Sequence, residues 1–342
     1  MENFYIISTR KKSGDRFVAE PGGVHYLRVP KSESRYTPAH SIKVKEWVDE
    51  VRGLADGDEN PYSISPKGDI LFFVHGYNNT QEVIFNRLKM LHKDLRAEGW
   101  RGVVVAFDWP SWDQTLNYLE DRSDAAAVSS KLVSHCLKLL ANGQQQGCET
   151  NIHLLGHSTG AYLIMEGFSQ AMQKKELYQS NWRIGQVAFI GGDVSAKSLQ
   201  ADSDWSTTLY KRIMRLTNYS NGHDAVLGVS NAKRLGVAPR AGRVGVDESH
   251  PKAVNVDCSS YFEGLDPDTS PHEGTFCHSW HIGNRVFARD LAMTMEGAID
   301  RNYIPTRKMV DGRLVLIDAP RPAHMDKWGI DEMVSMRNDY PV

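Results

Sequence analysis

The chain has 342 residues, 41% of them hydrophobic and 24% charged, with a formal net charge of -2. That length and balance suit one large domain with decorations. The near-neutral charge supplies no basic field to draw in a phosphate backbone, which excludes nucleic acid as an expected partner.

Met1 to Ile7 lacks a basic region, a long apolar run and a small-residue cleavage site, so no secretory signal is expected. No later apolar run is long enough to span a bilayer. The four cysteines, Cys136, Cys148, Cys258 and Cys277, are too few and too irregularly spaced for a disulfide framework or a zinc motif. The expectation is a cytoplasmic protein with reduced thiols, a meeting of Cys258 with Cys277 staying open. Phe4 to Ser8 reads as a strand and His40 to Val51 as a short amphipathic helix. Residues 1–65 form an N-terminal extension packed on the core.

From about residue 68, short β-branched and aromatic runs alternate with longer amphipathic stretches, as parallel strands do with crossover helices. Ile70 to Val74 is the first run, and Val74-His75-Gly76-Tyr77-Asn78-Asn79 follows it. Behind Asn79-Thr80, which can cap a helix, Ile84, Leu88, Leu91 and Leu95 recur at helical spacing. Val103 to Phe107 is the next strand. Beyond it stand Trp109, Trp112 and Tyr118, which suit either an acyl pocket or the core. Ser123 or Asp124 caps a helix with Val128, Leu132, Cys136 and Leu139 on one face.

The next strand, Ile152 to Leu155, runs directly into Gly156-His157-Ser158-Thr159-Gly160, and a helix-like stretch from Ala161 to Ala171 follows at once. A turn this sharp between strand and helix admits only small residues two positions either side of the serine, and it lifts the hydroxyl above the sheet. Gly156 and Gly160 meet that demand, so Ser158 is the expected nucleophile. Its oxyanion would need two backbone N–H donors, for which Thr159, next after the serine, and Tyr77, in the loop freed by Gly76, are expected.

Such a hydroxyl needs a histidine to take its proton and an acid to orient that histidine, in the order serine, acid, histidine along this kind of sheet. Two acids follow strand-like runs: Asp193 after Val187 to Ile190, and Asp224 after Ile213 to Tyr219. Asp224 lies in a Gly-containing loop able to turn back over the sheet edge and is preferred; Asp193 reads as a helix cap. Residues 230–249 and 263–275 read as loops around a strand from Ala253 to Cys258. His278 and His281 stand together in Cys277-His278-Ser279-Trp280-His281, before an amphipathic stretch with Val286, Leu291 and Met295, and either suits the base. No acidic or cysteine ligand at motif spacing accompanies them, so no metal and no cofactor is expected. The segment after Tyr303 reads as a surface-hugging tail.

Several of these blocks resemble one family. Phe73 to Thr80, Phe107-Asp108-Trp109-Pro110-Ser111, Tyr118 to Asp121, Gly156 to Gly160, Asp224-Ala225-Val226-Leu227 and His278-Ser279-Trp280 are similar, in order, to the blocks of the DUF900 group of α/β-hydrolases. The likeness spans about residues 68 to 295. It implies an α/β-hydrolase fold, a doubly wound and mostly parallel sheet with helices on both faces, and a Ser-Asp-His triad with the acid at Asp224 and the histidine at His278. The chain departs from the family at Thr159, where Met is frequent, and at Gly191-Gly192, where Ala-Pro is frequent.

The resulting expectation is a catalytic domain over residues 66–302 and a tail over 303–342. The reaction expected is hydrolysis of a small-molecule carboxylic ester through an acyl-enzyme on Ser158. The alternatives are a thioesterase or amidase with the same triad, or a silent scaffold that only binds. Acyl chain length and oligomeric state are not legible.

Overall fold

The apolar runs become neighbouring strands of one sheet, because each is hydrophobic on both faces and must be covered twice. The computed structural model describes residues 2–55, 69–111, 128–137, 150–179, 182–232, 238–246 and 250–322. Its strands are β1 (Asn3–Ser13), β2 (Arg16–Pro30), β3 (Asp69–Val74), β4 (Val103–Asp108), β5 (Asn151–His157), β6 (Ile184–Ile190), β7 (Ile213–Ser220), β8 (Ala253–Asp257), β9 (Arg307–Val310) and β10 (Arg313–Leu316). The helices used below are α1 (Val44–Ala55), α2 (Gln81–Ala97), α3 (Thr159–Gln173), α4 (Asp204–Arg212), α5 (Ala225–Ala232), α6 (Phe276–Ser279) and α7 (Arg285–Glu296).

Among the described residues the ten strands form one sheet in the order β2-β1-β4-β3-β5-β6-β7-β8-β10-β9. All neighbours pair in parallel except the edge pairs β1 with β2 and β10 with β9. Successive residues feed opposite layers. Ile70, Phe72 and Val74 pack with α1, α3 and residues 128–137 on one face, whereas Leu71 and Phe73 pack with α2 and α7 on the other. Each such side chain, once buried, contributes roughly 1.5–3 kcal/mol.

Thr80 caps α2 as the sequence suggests, accepting a hydrogen bond from the Val83 backbone N–H. The face bearing Val128, Leu132 and Cys136 is buried, while Leu139 and the capping pair Ser123-Asp124 lie outside the described residues.

Both chain ends join the sheet. Parallel pairing of Tyr5 to Ser8 with Val105 to Asp108 makes β1 an integral strand. After Tyr303, β9 and β10 make a hairpin that extends the sheet beyond β8, where the sequence had suggested only a surface tail. Its two-residue turn is Asp311-Gly312, with φ of 48° and 77°. Asp-Gly with both residues left-handed is the turn that best matches strand twist, a signal overlooked among the surrounding charges. In the stretch read as the loop 230–249, α5 extends to Ala232 and one helical turn covers Ala241–Val244.

The chain order β3, β4 runs one way across the sheet, and β5, β6, β7 runs the other way. The reversal lies between β3 and β5, and the crevice at their carboxyl ends is where ligands bind in open α/β sheets.

Candidate active site

The turn from β5 into α3 places Ser158 at φ 55° and ψ -123°, a backbone conformation rare for a residue with a side chain. Such strain persists where the surroundings over-determine it. Here the Ser158 N–H donates to the Ile190 carbonyl, and its own carbonyl accepts from Asp193 N–H. A Cβ on Gly160 would lie 2.2 Å from the Val74 carbonyl oxygen, and one on Gly156 would lie 2.9 Å from Ile164 Cδ1. Rigid backbone therefore closes off Gly160, while Gly156 is tightly flanked by the Ile164 side chain and the Ala161 backbone.

Across the switch point, Gly76 follows β3 and lies against the serine: a Cβ there would stand 2.6 Å from Ser158 Cβ. This contact brings the segment that continues into Tyr77 against the serine turn. Thr159 follows Ser158 directly at the first turn of α3, so both expected N–H donors belong to segments adjoining Ser158, one by contact and one by sequence. Asn79 shapes the first segment by donating from Nδ2 to the Gly76 and Tyr77 carbonyls at 2.8 and 2.9 Å.

Asp224 follows β7 and divides its carboxylate between two tasks. Oδ1 accepts the Leu227 backbone N–H at 2.9 Å, capping α5, and Oδ2 lies 2.7 Å from His278 Nδ1. The helix end favours the charge that the imidazole also needs. The ring of His278, carried on α6, packs against the backbone after β6, where a Cβ on Gly191 would come within 3.0 Å of its Cε1 and Nδ1. Gly191 has φ 51°, so a residue without a side chain satisfies both the turn and the close approach. This gives the Gly191-Gly192 departure a physical reason.

The other candidates go elsewhere. Asp193 accepts from Ser230 Oγ at 2.9 Å and lies 3.5 Å from Arg240 Nε, and Ser195, not Asp193, occupies the cap position of the short helix that follows, against the sequence expectation. His281 is buried in a stack on Trp280, with centroids 4.1 Å apart. Trp109 is buried against His75, with centroids 5.5 Å apart, and its Nε1 donates to the His75 carbonyl. Trp112 and Tyr118 lie outside the described residues.

Behind Gly76 lies a buried polar network that sequence reasoning missed. His75 Nδ1 donates to the Gly76 carbonyl at 2.7 Å, and its Nε2 stands 3.2 Å from Asp108 Oδ1. Asp108 also accepts from Arg10 Nε at 2.8 Å and from Ser8 Oγ at 2.6 Å. Burial pushes the Asp108 carboxyl up, yet the charge of Arg10 outweighs it and brings it down to about 2. Arg10 further donates from Nη2 to the Asn79 carbonyl. The available signal was Asp108 itself, an acid ending an otherwise apolar buried strand. Arg87, an isolated charge on the apolar face of α2 between Ile84 and Leu91, was the other.

Among the described residues, no group of three or more His, Cys, Asp or Glu side chains is arranged to hold a metal ion. None of their helices is long and apolar enough to cross a membrane. Cys136, Cys258 and Cys277 are free thiols.

A family model described as alpha/beta hydrolase of unknown function, DUF900, matches residues 60–266, more than half of the chain. No curated protein matches. Among solved structures, esterase B from Lactobacillus rhamnosis is similar at 12% identity and TM-score 0.38, covering 67% of this chain and 75% of that one. A cutinase-like protein from Cryptococcus sp. is similar at 16% identity and TM-score 0.34, covering 68% of this chain and 96% of that one. Carboxyl esterase 2 from Tuber melanosporum is similar at 12% identity and TM-score 0.34, covering 76% and 67%.

Proposed function

Because the chain belongs to the DUF900 family of alpha/beta hydrolases, we propose that it is a serine hydrolase acting on a carboxylic ester through an acyl-enzyme on Ser158. The observation that carries this reading is the 2.7 Å contact of His278 Nδ1 with Asp224, beside a strained serine turn at the switch point of the sheet. On this reading residues 66–302 are the catalytic domain.

His278 Nε2 removes the hydroxyl proton as Ser158 Oγ attacks the substrate carbonyl. Asp224 holds the ring with its proton on Nδ1 and stabilises the cation that forms. The oxyanion is received by the N–H groups of Tyr77 and Thr159. Collapse expels the alcohol, which takes its proton from His278, and water repeats the sequence to free the acid. An ester is favoured over an amide because an alkoxide leaves with less demand for protonation than an amine.

The test is hydrolysis of p-nitrophenyl esters of graded chain length, with fluorophosphonate labelling, by wild type and Ser158→Ala. Labelling at Ser158 and loss of hydrolysis in the variant are expected. Equal rates in the two proteins would sink the assignment.

A further inference from the structure

Arg87 is 3% exposed, on the inward side of α2, and its bonding partners are neutral groups of three separate segments. From Nη1 it donates to Asn79 Oδ1 at 2.9 Å and, more distantly, to His157 Nδ1 at 3.5 Å. From Nη2 it donates to the Glu273 carbonyl at 2.5 Å and to Ser279 Oγ at 3.0 Å. A Cβ on Gly274 would stand 2.9 Å from Nη2, so the backbone there closes directly onto the guanidinium. Burying a guanidinium is expensive; among the described residues no carboxylate pairs with it directly, and burial, only partly offset by the nearby charge of Glu273, brings its pKa down to about 10. A site retained at that cost invites a reason beyond packing.

The partners supply one. Asn79 is the residue whose amide holds the carbonyls of Gly76 and Tyr77. Arg87 can only donate, so His157 Nδ1 must accept, and the ring proton sits on Nε2. From there it is donated to the His278 carbonyl oxygen, 3.1 Å away. Ser279 is the residue after His278, and Glu273 begins the approach to α6. One planar fork therefore touches the oxyanion segment, the serine turn and the histidine segment together.

We propose that Arg87 is a positioning residue for hydrolysis, fixing Tyr77, Ser158 and His278 in one mutual geometry. The proposal rests on the serine hydrolase reading. Lysine is a point charge and cannot reproduce the fork. Displacing catalytic groups by about 1 Å lowers turnover by about 10²-fold, while substrate binding elsewhere is left intact.

The experiment follows p-nitrophenyl butyrate hydrolysis, fluorophosphonate labelling and thermal unfolding in the full chain. The variants are Arg87→Met, Arg87→Lys, Asn79→Ala, Ser279→Ala and Asn79→Ala with Ser279→Ala. In Arg87→Met, kcat falls about 10²-fold while KM changes by less than about threefold. Arg87→Lys recovers only part of kcat. Asn79→Ala and Ser279→Ala both loosen the same guanidinium, Asn79→Ala also losing its direct hold on Gly76 and Tyr77, so their effects on ln kcat are less than additive in the double variant. A folded Arg87→Met protein with wild-type kcat overturns the proposal, and so does strict additivity of the two alanine variants. If Arg87→Met does not fold, that additivity decides alone. A wild type that neither hydrolyses esters nor labels sinks the serine hydrolase reading itself. A wild type labelled at Ser158 beside an equally fast Arg87→Met sinks only the role of Arg87.

Discussion

His278 Nδ1 stands 2.7 Å from Asp224 Oδ2, while the other oxygen of that carboxylate caps α5 through Leu227 N–H. Asp224→Asn separates the two tasks. The amide oxygen can still cap the helix, but an NH₂ facing Nδ1 forces the imidazole proton onto Nε2, where the base is needed free. The fold should survive, and kcat should fall by about 10⁴-fold, as for a triad with the wrong tautomer. Asp193→Asn, whose carboxylate meets Ser230 and Arg240 instead, should lose far less. Steady-state ester hydrolysis with both variants checks this, and equal losses would return Asp193 to candidacy.

Gly160 and Gly76 should respond differently to an added methyl group. The Gly160 Cβ would meet the rigid Val74 carbonyl at 2.2 Å, so Gly160→Ala should destabilise by about 1–3 kcal/mol through overpacking. The Gly76 Cβ would meet Ser158 Cβ at 2.6 Å, so Gly76→Ala should slow labelling of Ser158 more than it lowers the unfolding temperature. Thermal unfolding and labelling rates, measured side by side, separate the two.

The C-terminal hairpin is fastened by charge. Arg307, on β9, meets Asp290 of α7 at 2.6 Å, and Tyr219 and Thr306 also bond that carboxylate. Both partners are fully buried. Arg307→Met strands the carboxylate and should destabilise by about 3–5 kcal/mol, whereas pairing it with Asp290→Leu should recover much of the loss. Urea unfolding of the two variants tests this; a double variant as weak as the single one would contradict it.

Legibility followed chemistry with a local signature. The strands β1 and β3 to β8 and the serine turn could be read, because apolar runs and small residues at fixed offsets are local features, whereas β2, whose residues are mostly half-buried or exposed, left no such run. The choice between His278 and His281 rested on resemblance, since two histidines in one short segment differ only in which way the fold turns them. Arg87, Arg10 and Asp108 were invisible as a network, because apart from Asn79, eight residues before Arg87, their side-chain partners lie 33 to 192 residues away in the chain. The hairpin at Asp311-Gly312 was missed for a different reason: strands of four residues carry too little hydrophobic pattern to stand out from a charged tail.

His281 offers the clearest dependence on pH. It is 1% exposed, stacked on Trp280 and edge-on to Phe287, and among the described residues neither ring nitrogen has a hydrogen-bond partner. Burial, aided by nearby His278, holds its pKa well below the usual imidazole value, and burial lowers His75, His157 and His92 likewise, the last to about 4. Each binds a proton in the unfolded chain before it does so in the folded one. Their contribution to stability is therefore complete above about pH 6.5 and is lost as pH falls below it, at up to about 1.4 kcal/mol per pH unit for each ring. The unfolding temperature should drop between pH 7 and pH 5, ahead of the carboxylate range. His281→Leu removes one of these rings and an unsatisfied polar group, so it should lessen that drop and match or exceed wild-type stability at pH 5. Ester hydrolysis should persist in His281→Leu and fail in His278→Ala, because the contact to Asp224 belongs to His278. The reverse result would transfer the base to His281, and an undiminished acid slope would show that this ring is protonated in the folded chain.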